Sequence, residues 1–339
     1  MKKESKFRNN RVSLLIILSL IASSCATPPP ERALSEFEIL QQSAEQGDMS
    51  AQVELAAAYW EGERVEQDVV RSAYWYKRAA EQGSVIAERN MGFKYLVGSG
   101  VPKDMQRSTH WFLRAAEQGD EVSQLFAGYA YRDASGVSQD YRIAMKWFML
   151  AAEQDNPAAM YAVGLAYRQA LGVEQDLEEG FKWYLRAAEG GHRLAKVNVA
   201  RLYVNGEGVE QDYEQALRWL IGPAQNGYAD AQYLLGNIYR YGRGVEQNET
   251  IAAEWYTRAA ELGNIPGQFA LAHQYYFGKG VQRDYDQSIH WFTKAAEQGD
   301  VEAAKLLCGI YYGDGPPELR DMTKADEWCS TAMLLEAAN

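Results

Sequence analysis

An all-α chain of stacked antiparallel helix pairs, repeating every 36 residues, is the fold class that the sequence predicts. Three observations carry it. Tryptophans fall at Trp75, Trp111, Trp147, Trp183, Trp219, Trp255 and Trp291, with Trp328 one residue out of phase. Valines recur at the same interval, at Val65, Val101, Val137, Val173, Val209, Val245 and Val281, and a fixed period of this length marks a repeat array rather than a set of globular domains. Inside the copy at 228–263, Tyr233, Leu234, Leu235, Ile238 and Tyr239 fall near one helix face, and Ala252, Trp255, Tyr256, Ala259 and Ala260 fall on another. This i, i+3, i+4 spacing gives two amphipathic helices per copy, A and then B.

Residues 1–24 are of a different kind. Lys2, Lys3, Lys6, Arg8 and Arg11 precede an apolar run from Val12 to Ala22, which is too short to span a bilayer but fits a signal peptide. The run ends Ile21-Ala22-Ser23-Ser24-Cys25 and resembles the bacterial lipoprotein signal. That resemblance implies removal of 1–24 and acylation of Cys25. Ala26, rather than Asp, follows the Cys, which by the same resemblance implies an outer-membrane lipoprotein, here expected to face the periplasm. Cleavage nearby by the ordinary signal peptidase is the alternative. Acyl chains would hold the protein on the membrane, and residues 25–33 would follow as a linker stiffened by Pro28-Pro29-Pro30. Loss of 1–24 removes five positive charges and one negative, taking the formal net charge from −12 to −16. So acidic a chain lacks the basic footprint of nucleic-acid binding.

Residues 34–47 read as an isolated helix B, with Ala44-Glu45-Gln46-Gly47 matching the Ala-Ala-Glu-Gln-Gly ends of later copies. A half unit of this sort covers the apolar flank of the first full copy. Eight copies follow, at 48–83, 84–119, 120–155, 156–191, 192–227, 228–263, 264–299 and 300–339. Between helices A and B, Gly242 and Gly244 supply the positive φ that ends helix A. Asp212 and Asp284 stand where a carboxylate accepts from the first N–H groups of helix B, with Gln215 and Gln287 placed to reach back. Between copies, Gly47-Asp48, Gly119-Asp120 and Gly299-Asp300 stop one helix and start the next. Helix B is small at Ser72, Ser108, Ala144, Gly180, Ala216, Ala252, Ser288 and Ala325, opposite Gly92, Gly128, Gly164 and Gly236 of helix A, so the axes can close on each other. The last copy alters its loop at 313–321, which contains Pro316 and Pro317.

These columns resemble the Sel-one-like repeat family, a relative of the tetratricopeptide repeats. The pattern A-x-x-x-L-G-x-x-Y-x-x-G-x-G-V is read here from Ala231 to Val245, and A-x-x-W-Y-x-x-A-A from Ala252 to Ala260. The resemblance spans about 290 residues. It implies an α-solenoid, a right-handed superhelix whose A helices line a concave face, and a non-catalytic adaptor role that in bacteria often belongs to the envelope. By tetratricopeptide geometry the groove-facing positions collect Trp60, Arg89, Phe93, Tyr129, Arg132, Tyr161, Arg168, Arg201, Tyr233, Arg240, Tyr241, Phe269, His273, Tyr276, Lys305 and Tyr312, with Glu61 and Asp133 as exceptions. Aromatic and arginine side chains dominate binding hot spots. Arg132, Arg168 and Arg240 repeat a charge that the bulk composition opposes, which suggests an extended and partly acidic ligand. Packing of these rings on the neighbouring A helix is the alternative.

No catalytic, cofactor or metal site is expected. The Trp column serves helix packing. His110, His192, His273 and His290 do not offer the three or four convergent ligands that a metal needs. Asp48, Glu81, Glu117 and Asp300 recur at helix ends, where the helix dipole or solvation accounts for them. Family members that act on β-lactams carry paired cysteines in every repeat, and this chain does not. After Cys25 only Cys308 and Cys329 remain. Cys308 occupies the helix A glycine column and Cys329 the column after Trp, and those columns face each other. A disulfide is therefore expected in an oxidising compartment, with two buried free thiols as the alternative. The expected function is a scaffold that grips a protein partner, such as envelope or secretion machinery, and is anchored to the membrane by lipid. A peptidoglycan- or exopolysaccharide-binding module is the second reading and a β-lactam-acting enzyme the third.

Overall fold

The structure is a computed structural model that describes residues 35–338. The expected signal peptide at 1–24, the lipidation site Cys25 and the linker at 25–33 lie outside the described residues. Among the described residues there are seventeen α-helices and no strand. A single helix, α1 (Glu36–Glu45), precedes eight A/B pairs. In order these are α2 (Met49–Glu61) with α3 (Val69–Glu81), α4 (Val85–Val97) with α5 (Met105–Glu117), α6 (Glu121–Arg132) with α7 (Tyr141–Glu153), and α8 (Pro157–Gln169) with α9 (Leu177–Glu189). The array continues as α10 (Arg193–Asn205) with α11 (Tyr213–Gln225), α12 (Ala229–Tyr241) with α13 (Glu249–Glu261), α14 (Ile265–Phe277) with α15 (Tyr285–Glu297), and α16 (Val301–Gly309) with α17 (Met322–Ala338). Each helix packs chiefly on the one before and the one after it, which makes the chain an all-α solenoid.

The joints follow from local chemistry. Asp48, Asp120 and Asp300 accept from the backbone N–H of Ala51, Ser123 and Ala303 and so cap the A helices. Asp212 and Asp284 cap their B helices through the N–H groups of Gln215 and Gln287, but the reciprocal side-chain bond is not made, so only half of the expected capping box forms. In the described chain the full box belongs to Ser35 and Glu38, at the start of α1. In five units the glutamine just before the helix B cap does something else. Gln67, Gln139, Gln175, Gln211 and Gln247 each donate Nε2 to a carbonyl at the end of the preceding A helix, those of Trp60, Arg132, Arg168, Val204 and Arg240, and so satisfy acceptors that the helix leaves open. In the same loop Gly208 has φ +71° and lies so close to the carbonyl of Leu177 that a Cβ would overlap it. The loop of one unit thereby rests on the first turn of the preceding helix B.

The interior is a succession of small cores rather than one nucleus. Leu55 packs with Tyr76 and Met91, Val163 with Tyr184 and Val199, and Phe292 with Leu307 and Ile310, all buried. The glycines of helix A face the ring column after Trp: a Cβ on Gly92 would sit 2.7 Å from Phe112 Cδ1, and one on Gly164 2.9 Å from Tyr184 Cδ1. The small column of helix B closes the same contact, as Ser108 Oγ donates to the carbonyl of Gly92 at 2.8 Å. In the last pair this register holds Cys308 and Cys329, which are joined in a disulfide with Cα atoms 5.0 Å apart. Helix α16 is short and runs into a π-turn at Ile310–Asp314.

Candidate partner-binding site

The candidate groove side chains of the A helices are mostly half-buried, and their rings lean on neighbouring rings. Phe93 meets Phe112 at 5.0 Å and Phe126 of the next A helix at 4.9 Å between centroids. Tyr129 meets Phe148, Tyr161 meets Tyr184, Tyr233 meets Tyr256, and Phe269 meets Phe292. These rings therefore serve packing along one edge, chiefly against helix B of their own unit rather than against the neighbouring A helix, while their other edge is left at the surface. Of these contacts only Phe93–Phe126 reaches the neighbouring A helix. Contacts between successive A helices continue with Tyr161, which stacks on His192 at 4.5 Å and accepts from Asn198 Nδ2 at 3.2 Å. Burial pushes the Tyr129 and Tyr276 hydroxyls up from their usual range.

The arginines are not the uniform cationic row that their spacing suggested. Arg132 binds Asp133 with both Nε and Nη2, at 2.7 and 2.8 Å, and lies over the Tyr129 ring. Arg168 pairs with Glu207 at 3.0 Å and Arg89 with Asp120 at 2.8 Å. An amide from Asn205 and the pairing with Arg168 hold the Glu207 carboxyl below its usual range. Arg201 and Arg240 have no carboxylate partner among the described residues; Arg240 lies 5.3 Å from the Tyr241 ring. The free positive charge is thus confined to α10 and α12, and the inference of an acidic ligand along the whole row does not hold at Arg132 and Arg168.

At the C-terminal end the row deepens into a cavity of about 500 Å³ between α14, α16 and the π-turn. Phe269, His273, Tyr276 and Lys305 line it together with Phe277 and Leu306. Desolvation first, then Arg240 and Lys279, hold the His273 imidazole below its usual value, and its buried Nδ1 has no hydrogen-bond partner. The other histidines are dispersed: His192 caps α10 through Nδ1, while His110 and His290 lie on α5 and α15 against Trp111 and Trp291. Among the described residues no group of three His, Cys, Asp or Glu side chains could hold a metal ion.

The Sel1 repeat pattern matches residues 50–84, 85–120, 122–156, 157–192, 193–221, 229–264 and 265–300. The chain belongs to the Sel1 repeat family. The matched Sel1 units stop short of the last helix pair, and the fifth ends just before Gly222-Pro223, where the usual Ala-Ala of helix B is interrupted. Among solved structures, this Sel1 chain is similar to c5321 of uropathogenic Escherichia coli, described as a protective antigen displaying an SLR fold. The two share 34% identity and a TM-score of 0.71, over 89% of this chain and 72% of that one. It is also similar to a Sel1 repeat protein from Oxalobacter formigenes, with 34% identity and a TM-score of 0.65 over 81% and 79% of the two chains. No curated protein matches the sequence.

Two departures from the Sel1 columns escaped the sequence reading. In four of the eight units a buried glutamine on helix A (Gln52, Gln124, Gln232 and Gln268) ties the stack together: Gln154 donates to Gln124 Oε1, and Gln124 donates in turn to the carbonyl of Ala116. Glu88 replaces that glutamine in the second unit and is fully buried. Gln118 donates to one carboxylate oxygen at 2.6 Å and Arg114 pairs with the other at 2.7 Å. Burial pushes the Glu88 carboxyl up, against the pull of Arg114. Lys94 is the second departure and stands in the column held by Ala58, Ala130 and Ala166. A single deviant letter within a repeating column was the available signal for both.

Proposed function

We propose that this Sel1-repeat chain is a non-catalytic scaffold of the bacterial envelope that grips an extended protein segment along its row of A helices. The observation that carries the reading is the asymmetry of the stack. Helix α12 contacts both α10 and α14, whereas no two successive B helices approach as closely. The A side is thus the narrower one, and it presents half-exposed rings with the unpaired guanidinium groups of Arg201 and Arg240, residue types suited to binding hot spots. Lipidation of Cys25 would tether the scaffold to the outer membrane, facing the periplasm, within reach of envelope or secretion machinery.

Affinity capture from membranes with the full-length protein tests this. The double variant Arg201→Glu/Arg240→Glu should lose the partner that the wild type recovers, and equal recovery would remove the A-helix face from the proposal. Co-sedimentation with purified peptidoglycan decides between a protein partner and a glycan. Incorporation of labelled fatty acid into the wild type, but not into Cys25→Ser, tests the anchor.

A further inference from the structure

We infer that the cavity between α14, α16 and the π-turn is the anchoring pocket for a protein segment in which a large apolar side chain stands beside a lysine or arginine. The inference rests on the scaffold reading and supplies the chemistry of one end of the partner. Four observations lead to it.

The walls are apolar. Phe269, Phe292 and Ile310 form the depth of the cavity, and Phe277 and Leu306 stand at its rim, 52% and 39% exposed. A volume of about 500 Å³ lies within the usual range for ligand pockets. Exposed apolar groups around a concavity are a mark of an interaction site.

At the α16 and π-turn side of the cavity the lining is acidic. Its only lysine, Lys305, is already held by Glu302 at 2.9 Å and by Glu336 at 2.6 Å. Asp314 also lines the cavity and has no ion pair or hydrogen bond among the described residues. Of the charged residues that line the cavity, Glu302 and Asp314 are acidic against the one ammonium of Lys305, and a cation on the incoming segment would pair with Asp314. The cations Arg240 and Lys279 act instead on the His273 end.

The cavity also holds a polar atom without a partner, since the buried Nδ1 of His273 makes no hydrogen bond. A backbone N–H or carbonyl of a docked segment can meet it, according to the tautomer present.

Finally, the wall is built by the chain's most irregular element. Elsewhere helix A runs for twelve or thirteen residues and ends at a short loop. Here α16 stops at Gly309 and the π-turn carries Ile310 and Asp314 to the cavity. The Cys308–Cys329 disulfide ties that wall to α17. Inserted π-turns are frequent at functional sites, and this one supplies a wall of the open cavity at the end of the row.

Selection of phage-displayed random 12-residue peptides on the purified full-length protein tests the proposal. Enriched peptides should carry Trp, Phe or Leu within three residues of Lys or Arg. Their affinity should fall at least tenfold on Leu306→Glu and on Asp314→Lys, both of which alter exposed side chains and should leave the circular dichroism spectrum unchanged. No enrichment, or enrichment of acidic peptides, overturns it. So does affinity that survives both substitutions. Peptides that survive both but are lost by Arg201→Glu/Arg240→Glu would retain the scaffold and discard this pocket, whereas insensitivity to all four changes would discard both.

Discussion

Lys94 Nζ lies 4.5 Å from the centre of the Trp60 ring and 5.5 Å from that of Tyr76, and it has no hydrogen-bond partner. The two ring faces offset part of the cost of burying an ammonium, but the residue is only 4% exposed. Desolvation lowers its pKa from 10.5 to about 8.

The sign of the resulting pH dependence is fixed. Between about pH 8 and 10.5 the unfolded chain holds a proton that the folded chain has released, so stability rises with pH across that window and the full cost stands below it. Lys94→Met should raise stability at pH 7, by about 2 kcal/mol if most of the shift is realised, and should flatten the rise. Urea unfolding at pH 7 and pH 10 measures both effects. A variant no more stable than wild type at pH 7 would mean that the rings compensate the burial in full.

Gly206 and Gly208 share a positive φ, +72° and +71°, but not their surroundings. A Cβ on Gly206 meets nothing nearer than 3.5 Å, so Gly206→Ala should cost only the left-handed strain, about 1 kcal/mol. Gly208→Ala should cost clearly more, about 2–4 kcal/mol, because the loop must also lift off Leu177. Equal losses in thermal unfolding would contradict the docking of this loop on α9.

Ala170 ends α8 in the left-handed conformation, with φ 57°, at a position where α10, α12 and α14 use glycine. Ala170→Gly should therefore stabilise the chain by about 1 kcal/mol. A lower melting temperature in the variant would count against the strain.

The Cys308–Cys329 bridge closes a 21-residue step, and a loop of that size stabilises by about 3 kcal/mol in the chain-entropy account. Replacing both by serine should raise hydrogen exchange in α16 and α17 while leaving α2 to α7 unchanged. The pair Cys308→Gly/Cys329→Phe, which restores the residues found at Gly92 and Phe112, should recover more protection than the serine pair. Exchange that rises evenly along the chain would refute a local role.

What could be read from the sequence is what the sequence writes many times. The period, the helix pairs and the contact of small columns at Gly92 and Ser108 each recur in unit after unit, and identical geometry in each unit forces identical residue types. Features made by one residue alone were hidden. The partner of Arg132 is its chain neighbour Asp133, while that of Arg168 lies 39 positions away at Glu207, and neither residue belongs to a repeating column. The half-formed caps at Asp212 and Asp284 depend on rotamers of exposed glutamines, which sequence spacing does not fix. The π-turn after Gly309 arises in the one unit whose loop departs from the pattern, where a repeat-based reading has nothing to copy.

Because the loop holding Gly208 rests on helix B of the unit before it, and Gln154 reaches Gln124 in its own unit and the carbonyl of Gly119 at the end of the unit before, these contacts link adjacent units only. A whole unit can then be deleted or duplicated without redesigning any surviving contact. The array is graduated in steps of roughly 36 residues, so its length is set by the number of its divisions.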